Sequence, residues 1–172
     1  MGVREAIPHT MKIDKVILGI TGEYYVAAEL GKRNIYAQLT LGNLKRADLL
    51  IFSAKSEKIL KIEVKCKQGK EWPNCKGIYH QNTFMVFVNF QDIAENQRPD
   101  FYILSVEDWS EIVKSKEQCY LEKHPARKTK IERNVLVLLD ETNSQGKPYE
   151  GCSIKPKDIE QFKEKWEKLN LS

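Results

Sequence analysis

Apolar residues recur at steps of three and four from Ile13 through Val16, Ile17, Ile20, Tyr24 and Ala27 to Leu30. That is the spacing of one helix face, and it predicts a helix within residues 12–33. Gly19 and Gly22 interrupt the run, so the expected start lies near Thr21, a residue able to cap it. Gly31 and Asn34 are expected stop signals. The period then shortens to two. Residues 35–41 and 47–53 read as strands, and the near-continuous apolar run from Leu49 to Phe52 marks the second as buried. Residues 59–67 are a third strand with strict alternation: Leu60, Ile62, Val64 and Cys66 face one way, Lys61, Glu63, Lys65 and Lys67 the other.

Residues 68–82 form a long polar connection, of the kind that is usually functional or mobile. Strands are expected at 84–90 and 101–106, the start of a helix at 108–116, and a short strand at 135–139. Residues 157–169 read as a closing amphipathic helix with Ile159, Phe162, Trp166 and Leu169 on one stripe. The order predicts an α/β fold: a mixed central β-sheet flanked by helices. The 172 residues are expected to form one domain, with a core at about 12–116 and the C-terminal strand and helix of 134–170 packed on it.

Composition narrows the function classes. Hydrophobic residues make up 41% and charged residues 30%, as in a globular chain with a real core. A net charge of +4 permits a nucleic-acid partner without demanding one. No apolar run is long enough for a membrane helix, and the start lacks the pattern of a signal peptide, so no membrane association is expected. Cys66, Cys75, Cys119 and Cys152 form no C-x-x-C pair, which favours reduced thiols in a cytoplasm. No phosphate-loop, dinucleotide or nucleophile-elbow motif is present.

The third strand carries the candidate chemistry. Glu63 and Lys65 share its polar face. Folding the hairpin symmetrically about a 55–58 turn sets Asp48 opposite Lys65, with Glu63 its diagonal neighbour. A slip of one residue would send Asp48 to the other face. Glu23 borders the apolar stripe of the first helix and is placed to reach that sheet end. Asp48 and Glu63 suit a hard divalent cation such as Mg²⁺, with Mn²⁺ a substitute. Such a cation activates water and neutralises phosphate charge, and Lys65 can orient the water or stabilise the transition state. The set suits hydrolysis of a phosphodiester.

The same residues resemble the PD-(D/E)XK nuclease superfamily, the restriction-endonuclease-like fold. The match runs as GEYYVAAEL on the first helix, RADLLIF on the second strand and IEVK on the third. It looks most like the resolvase-like and Mrr-like branches, which carry a helix glutamate before the D…E-x-K motif. It covers residues 17–67 by motif and extends loosely to residue 106 by element order. The resemblance implies metal binding at Asp48 and Glu63, catalysis by Lys65 and metal support from Glu23. The family's proline before the aspartate is Ala47 here, and Gln68 and Gln81 are not spaced with Tyr79 for a Q-x-x-x-Y motif.

Lys45, Arg46, Lys67, Lys70 and Lys76 are candidate phosphate contacts around the site. Trp72, Tyr79 and His80 are either base-stacking residues or loop anchors. Arg127, Lys128, Lys130 and Arg133 form a second basic cluster, and Trp109 and Trp166 read as core. The expectation is a Mg²⁺-dependent DNA endonuclease of restriction, repair or junction-resolving type, with a homodimer suggested by analogy to such enzymes. The alternatives are a non-catalytic or partner-dependent nucleic-acid-binding module and a structural protein whose polar strand face is merely solvated, where surface ion pairs contribute little.

Overall fold

The first helix, α1 (Lys15–Gly31), opens at Asp14, whose carboxylate accepts from the N–H groups of Val16 and Ile17. The computed structural model describes residues 11–40, 47–53 and 57–169. The cap is therefore Asp14 rather than Thr21, and the helix runs straight through both glycines. Gly22 has a positive reason to be there: a Cβ at that position would collide with Cys66 Sγ, so the missing side chain lets α1 lie close against the sheet. The face it buries is also not the expected stripe. Leu18, Gly22, Val26, Glu29 and Leu30 are buried, whereas Val16, Ile17, Ile20 and Tyr24 are exposed. Asn34 takes a positive φ of 60° just past the helix, as a stop residue should.

Among the described residues ten strands follow in chain order with a second helix among them: β1 (Ala37–Leu39), β2 (Leu49–Ser53), β3 (Lys58–Lys67), β4 (Trp72–Cys75), β5 (Thr83–Asn89), β6 (Asp100–Leu104), α2 (Val106–Lys123), β7 (Thr129–Glu132), β8 (Val135–Thr142), β9 (Pro148–Glu150) and β10 (Cys152–Ile154). The central sheet has the order β1-β2-β3-β5-β6. It is mixed: β3 and β5 are parallel and the other neighbours antiparallel. β7, β8 and β9 make a second sheet, and β4 pairs with β10.

The central sheet separates two cores, to which β5 and β6 contribute from both faces. Leu60, Ile62 and Val64 join Leu49, Ile51, Val86 and Val88 under α1. The other face of β5 and β6, with Met85, Phe87, Tyr102 and Leu104, packs against Trp109, Ile112 and Val113 of α2 and against β4, β8 and β10. α2 begins at Ser105, which forms a reciprocal capping box with Asp108.

Three expectations are corrected here. The connection 68–82 contains β4, and Trp72 is a buried core residue edge-on to Phe87 and Tyr102, not a stacking surface. The basic stretch 122–133 holds the end of α2 and strand β7. The closing helix is instead three short 3₁₀ turns, Pro156–Asp158, Glu160–Phe162 and Trp166–Leu169. Lys163 is extended and bridges Tyr102, and Glu164 has a φ of 56°, so the chain cannot stay helical across them. Ile159 and Phe162 enter the α2-side core, and Trp166 and Leu169 round the sheet edge into the α1-side core. Trp109 and Trp166 are both buried, as their patterns indicate.

Candidate active site

The observed hairpin register pairs Leu49 with Ile62, Phe52 with Ile59 and Ser53 with Lys58. This is a two-residue shift from the symmetric expectation. An even shift preserves the face, so Asp48, one residue before the last pair, falls by alternation on the side of Glu63 and Lys65. The turn at 54–56 lies outside the described residues.

At Asp48 the two strands part. A regular antiparallel ladder would have Val64 N–H donate to the carbonyl of Ala47. That carbonyl accepts instead from Thr40 Oγ1 at 2.6 Å, and Val64 N–H donates to Asp48 Oδ2 at 2.6 Å. The Asp48 N–H still donates to Ile62 O at 2.8 Å. The carboxylate thus stands in for a main-chain acceptor and lies in the gap between β2 and β3, accessible to groups from both faces. Among the described residues its Oδ1 has no hydrogen-bond donor.

Glu63 and Lys65 approach this gap from the polar side. Lys65 Nζ lies 2.5 Å from Glu63 Oε1, with the lysine side chain 33% exposed and the glutamate 13%. Burial pulls the Lys65 pKa down, but Glu63 and then Asp48 outweigh it, so the pKa is raised and the group is an ammonium at neutral pH. The Asp48 pKa is raised, chiefly by burial; the Val64 bond and Lys65 oppose the shift and Glu63 adds to it. Glu23 comes from α1, on the other side of the sheet. Its pKa is also raised, first by burial and then by the charge of Asp48. The thiol of Cys66 feels Glu23, Asp48 and Lys65 and is pushed up to about 12, mainly by burial, so it is an inert packing group. Asp48, Glu63, Lys65 and Glu23 are thus brought into electrostatic contact at one place.

The candidate phosphate contacts fare differently. Lys45 and Arg46 lie outside the described residues. Lys67 is not available to a phosphate: its ammonium is buried and donates to Gly69 O, Asn89 Oδ1 and Gln91 Oε1 at 2.7–2.9 Å. Three acceptors use up its three donors, and it lies over the Trp72 ring. Burial lowers its pKa to about 8. Lys70 is exposed, and Lys76 pairs with Glu150 at 2.9 Å on the surface. His80 stacks on Tyr79 with ring centroids 4.1 Å apart, and Arg133 lies over the Tyr79 ring. Sequence reasoning overlooked Cys75, whose thiol feels both Lys65 and Glu63, which shows that β4 runs beside the site. No spacing signal links Cys75 to β3, because β4 was not legible as a strand.

No family profile matches the sequence, and no curated protein matches it. Among solved structures the chain is similar to a bacterial homing endonuclease, I-Ssp6803I. The sequences are 16% identical, the alignment spans 91% of this chain and 92% of that chain, and the TM-score is 0.43. At that level the other protein's activity does not transfer, and the chemistry of this chain has to be argued from its own residues. No helix among the described residues is long and apolar enough to cross a membrane.

Proposed function

We propose that this chain is a Mg²⁺-dependent nuclease of PD-(D/E)XK type that hydrolyses phosphodiester bonds in DNA. The observation that carries the reading is the placement of Asp48. It takes the place of a backbone acceptor where the β2–β3 ladder ends, beside the Glu63–Lys65 ion pair, and its charge is felt by Glu23 on α1.

Among the described residues no three or more His, Cys, Asp or Glu side chains are arranged as a complete metal centre. Mg²⁺ does not require one, since it keeps several waters and commonly takes only one or two protein carboxylates. The donor set is all oxygen and anionic, and Asp48 Oδ1, without a donor among the described residues, fits that cation. Asp48 and Glu63 would hold it and Glu23 would support it, directly or through water. The cation supplies an activated water and charge neutralisation at phosphate. Lys65 contributes a fixed positive charge to the oxygens of the scissile phosphate, and Glu63 orients that ammonium. Asp48 is held in place by Val64 N–H, so the geometry rests on strand backbone rather than on a loop.

The test is cleavage of supercoiled, linear, single-stranded and junction DNA with Mg²⁺, with Mn²⁺ and with chelator, beside Glu63→Ala and Lys65→Ala proteins. Metal-dependent cleavage absent from both variants is the expected result. No cleavage on any substrate, together with no divalent binding by calorimetry, overturns the reading. A second reading is a nucleic-acid-binding module of the same fold without cleavage. It predicts DNA affinity that is indifferent to the metal.

A further inference from the structure

The half of the central sheet made by β1, β2 and β3 is covered on one face by α1. Its other face, the face of Glu63 and Lys65, carries large side chains that stay open to solvent. Register arranges them in rows. Gln38 pairs with Leu50 and Leu50 with Lys61; Phe52 pairs with Ile59, and Tyr36 continues β1 opposite Phe52. The rows run from Asp48 and Glu63, through Gln38, Leu50 and Lys61, to Tyr36, Phe52 and Ile59. Two residues along a strand advance ~6.7 Å, so the outer row lies ~13 Å from the site.

Tyr36 is 79% exposed, Phe52 61% and Ile59 59%. Exposed aromatic side chains in one row, uncovered among the described residues, offer a surface to a partner with a flat apolar face. The Tyr36 ring is already held, because its hydroxyl donates to Gln38 Oε1 at 2.8 Å, whose amide in turn donates to Leu39 O. Lys61, exposed in the middle row, adds a cation between rings and site.

Resting on the nuclease reading, we infer that this face is a stacking platform for an unpaired strand of nucleic acid leading into the site, with Tyr36 and Phe52 taking bases and Lys61 taking phosphate. Aromatic stacking beside a positive charge is how single strands are held. A duplex keeps its base faces stacked on one another and has none to offer. A second copy of this chain is the weaker occupant, since three side chains fall far short of the ~800 Å² per partner of a stable interface.

The experiment measures the affinity of the full chain for fluorescein-labelled oligo-dT and for a duplex of equal length, both in chelator, by anisotropy. Tyr36→Ala with Phe52→Ala is expected to weaken oligo-dT binding about 5- to 150-fold for each stacked base, and duplex binding less than about twofold. Tyr36→Phe with Phe52→Tyr is expected to keep the affinity, and thermal melting reports whether each variant folds. Should the alanine pair unfold, Phe52→Trp serves instead: oligo-dT is expected to quench its emission and duplex to leave it unchanged. Unaltered oligo-dT affinity, equal loss on duplex or an unquenched tryptophan overturns the inference. Unaltered affinity with loss of self-association in sedimentation assigns the face to a second copy. Cleavage that depends on Glu63 while the platform variants bind normally refutes the platform alone. Stacking without cleavage of any substrate refutes the nuclease reading alone.

Discussion

Glu23 and Glu29 sit on the same helix and have opposite fates. Glu29 is buried and fully answered: Arg98 grips both its oxygens at 2.8 Å, and Arg33 and Lys32 each donate at 2.9 Å. Arg98 then reaches Glu164, tying α1 to the C-terminal turns. These cations hold the Glu29 carboxyl well below the usual range. Glu23 has instead a neighbouring carboxylate, Asp48, and both their pKa values are raised. A charge satisfied by the protein serves the fold. Charges crowded against one another, with Lys65 beside them, mark a candidate functional site.

The largest expected effect breaks the comparison at the site. Glu63→Ala and Lys65→Ala should each cost at least about 10²–10³-fold in cleavage rate while leaving the melting temperature close to that of the parent. The second breaks it at the other cluster. Glu29→Ala removes the buried acceptor shared by Arg98, Arg33 and Lys32, leaves Arg98 paired with Glu164, and should destabilise the fold by about 1.5–3 kcal/mol in urea unfolding, with cleavage per folded molecule unchanged. An effect on rate larger than on stability would make Glu29 part of the site.

The third prediction uses pH. Because the Glu29 pKa is lowered on folding, its contribution is full above the ordinary value of 4.5 and is lost as pH falls through the folded one. Stability of the parent should therefore drop below about pH 4.5. The Glu29→Gln protein, already weaker, should show a shallower acid limb in a denaturant series across pH. The smallest effect sharpens the contrast by its sign. The Asp48 pKa is raised, so above its ordinary 3.8 stability is lost as pH rises and the carboxylate ionises. Asp48→Asn keeps an oxygen for Val64 N–H and removes the charge. It should stabilise the fold at pH 7 by about 0.5–2 kcal/mol while cleavage disappears. A loss of stability would show that Asp48 is structural.

The sequence by itself determined the parts that repeat with a short period. Alternation along β3 placed Glu63 and Lys65 on one face and Leu60, Ile62 and Val64 on the other, because a strand has only two faces. The hairpin register came out two residues from the symmetric one, an even shift that leaves each side chain on the face that alternation assigns it. Tertiary structure decided the rest. α1 is apolar around much of its circumference, so periodicity alone could not say that Leu18, Gly22 and Val26 rather than Val16, Ile20 and Tyr24 meet the sheet; the close approach at Gly22 chose. Lys67 continued the polar alternation of β3, yet Asn89 and Gln91, brought by the parallel neighbour β5, turned it inward. The final helix read from Ile159, Phe162, Trp166 and Leu169 gave way to 3₁₀ turns, because Glu164 leaves helical geometry to meet Arg98. The short strands β4, β9 and β10 carry too few residues for a period to show, and β4 and β10 form only where each supplies the other's hydrogen bonds from far along the chain.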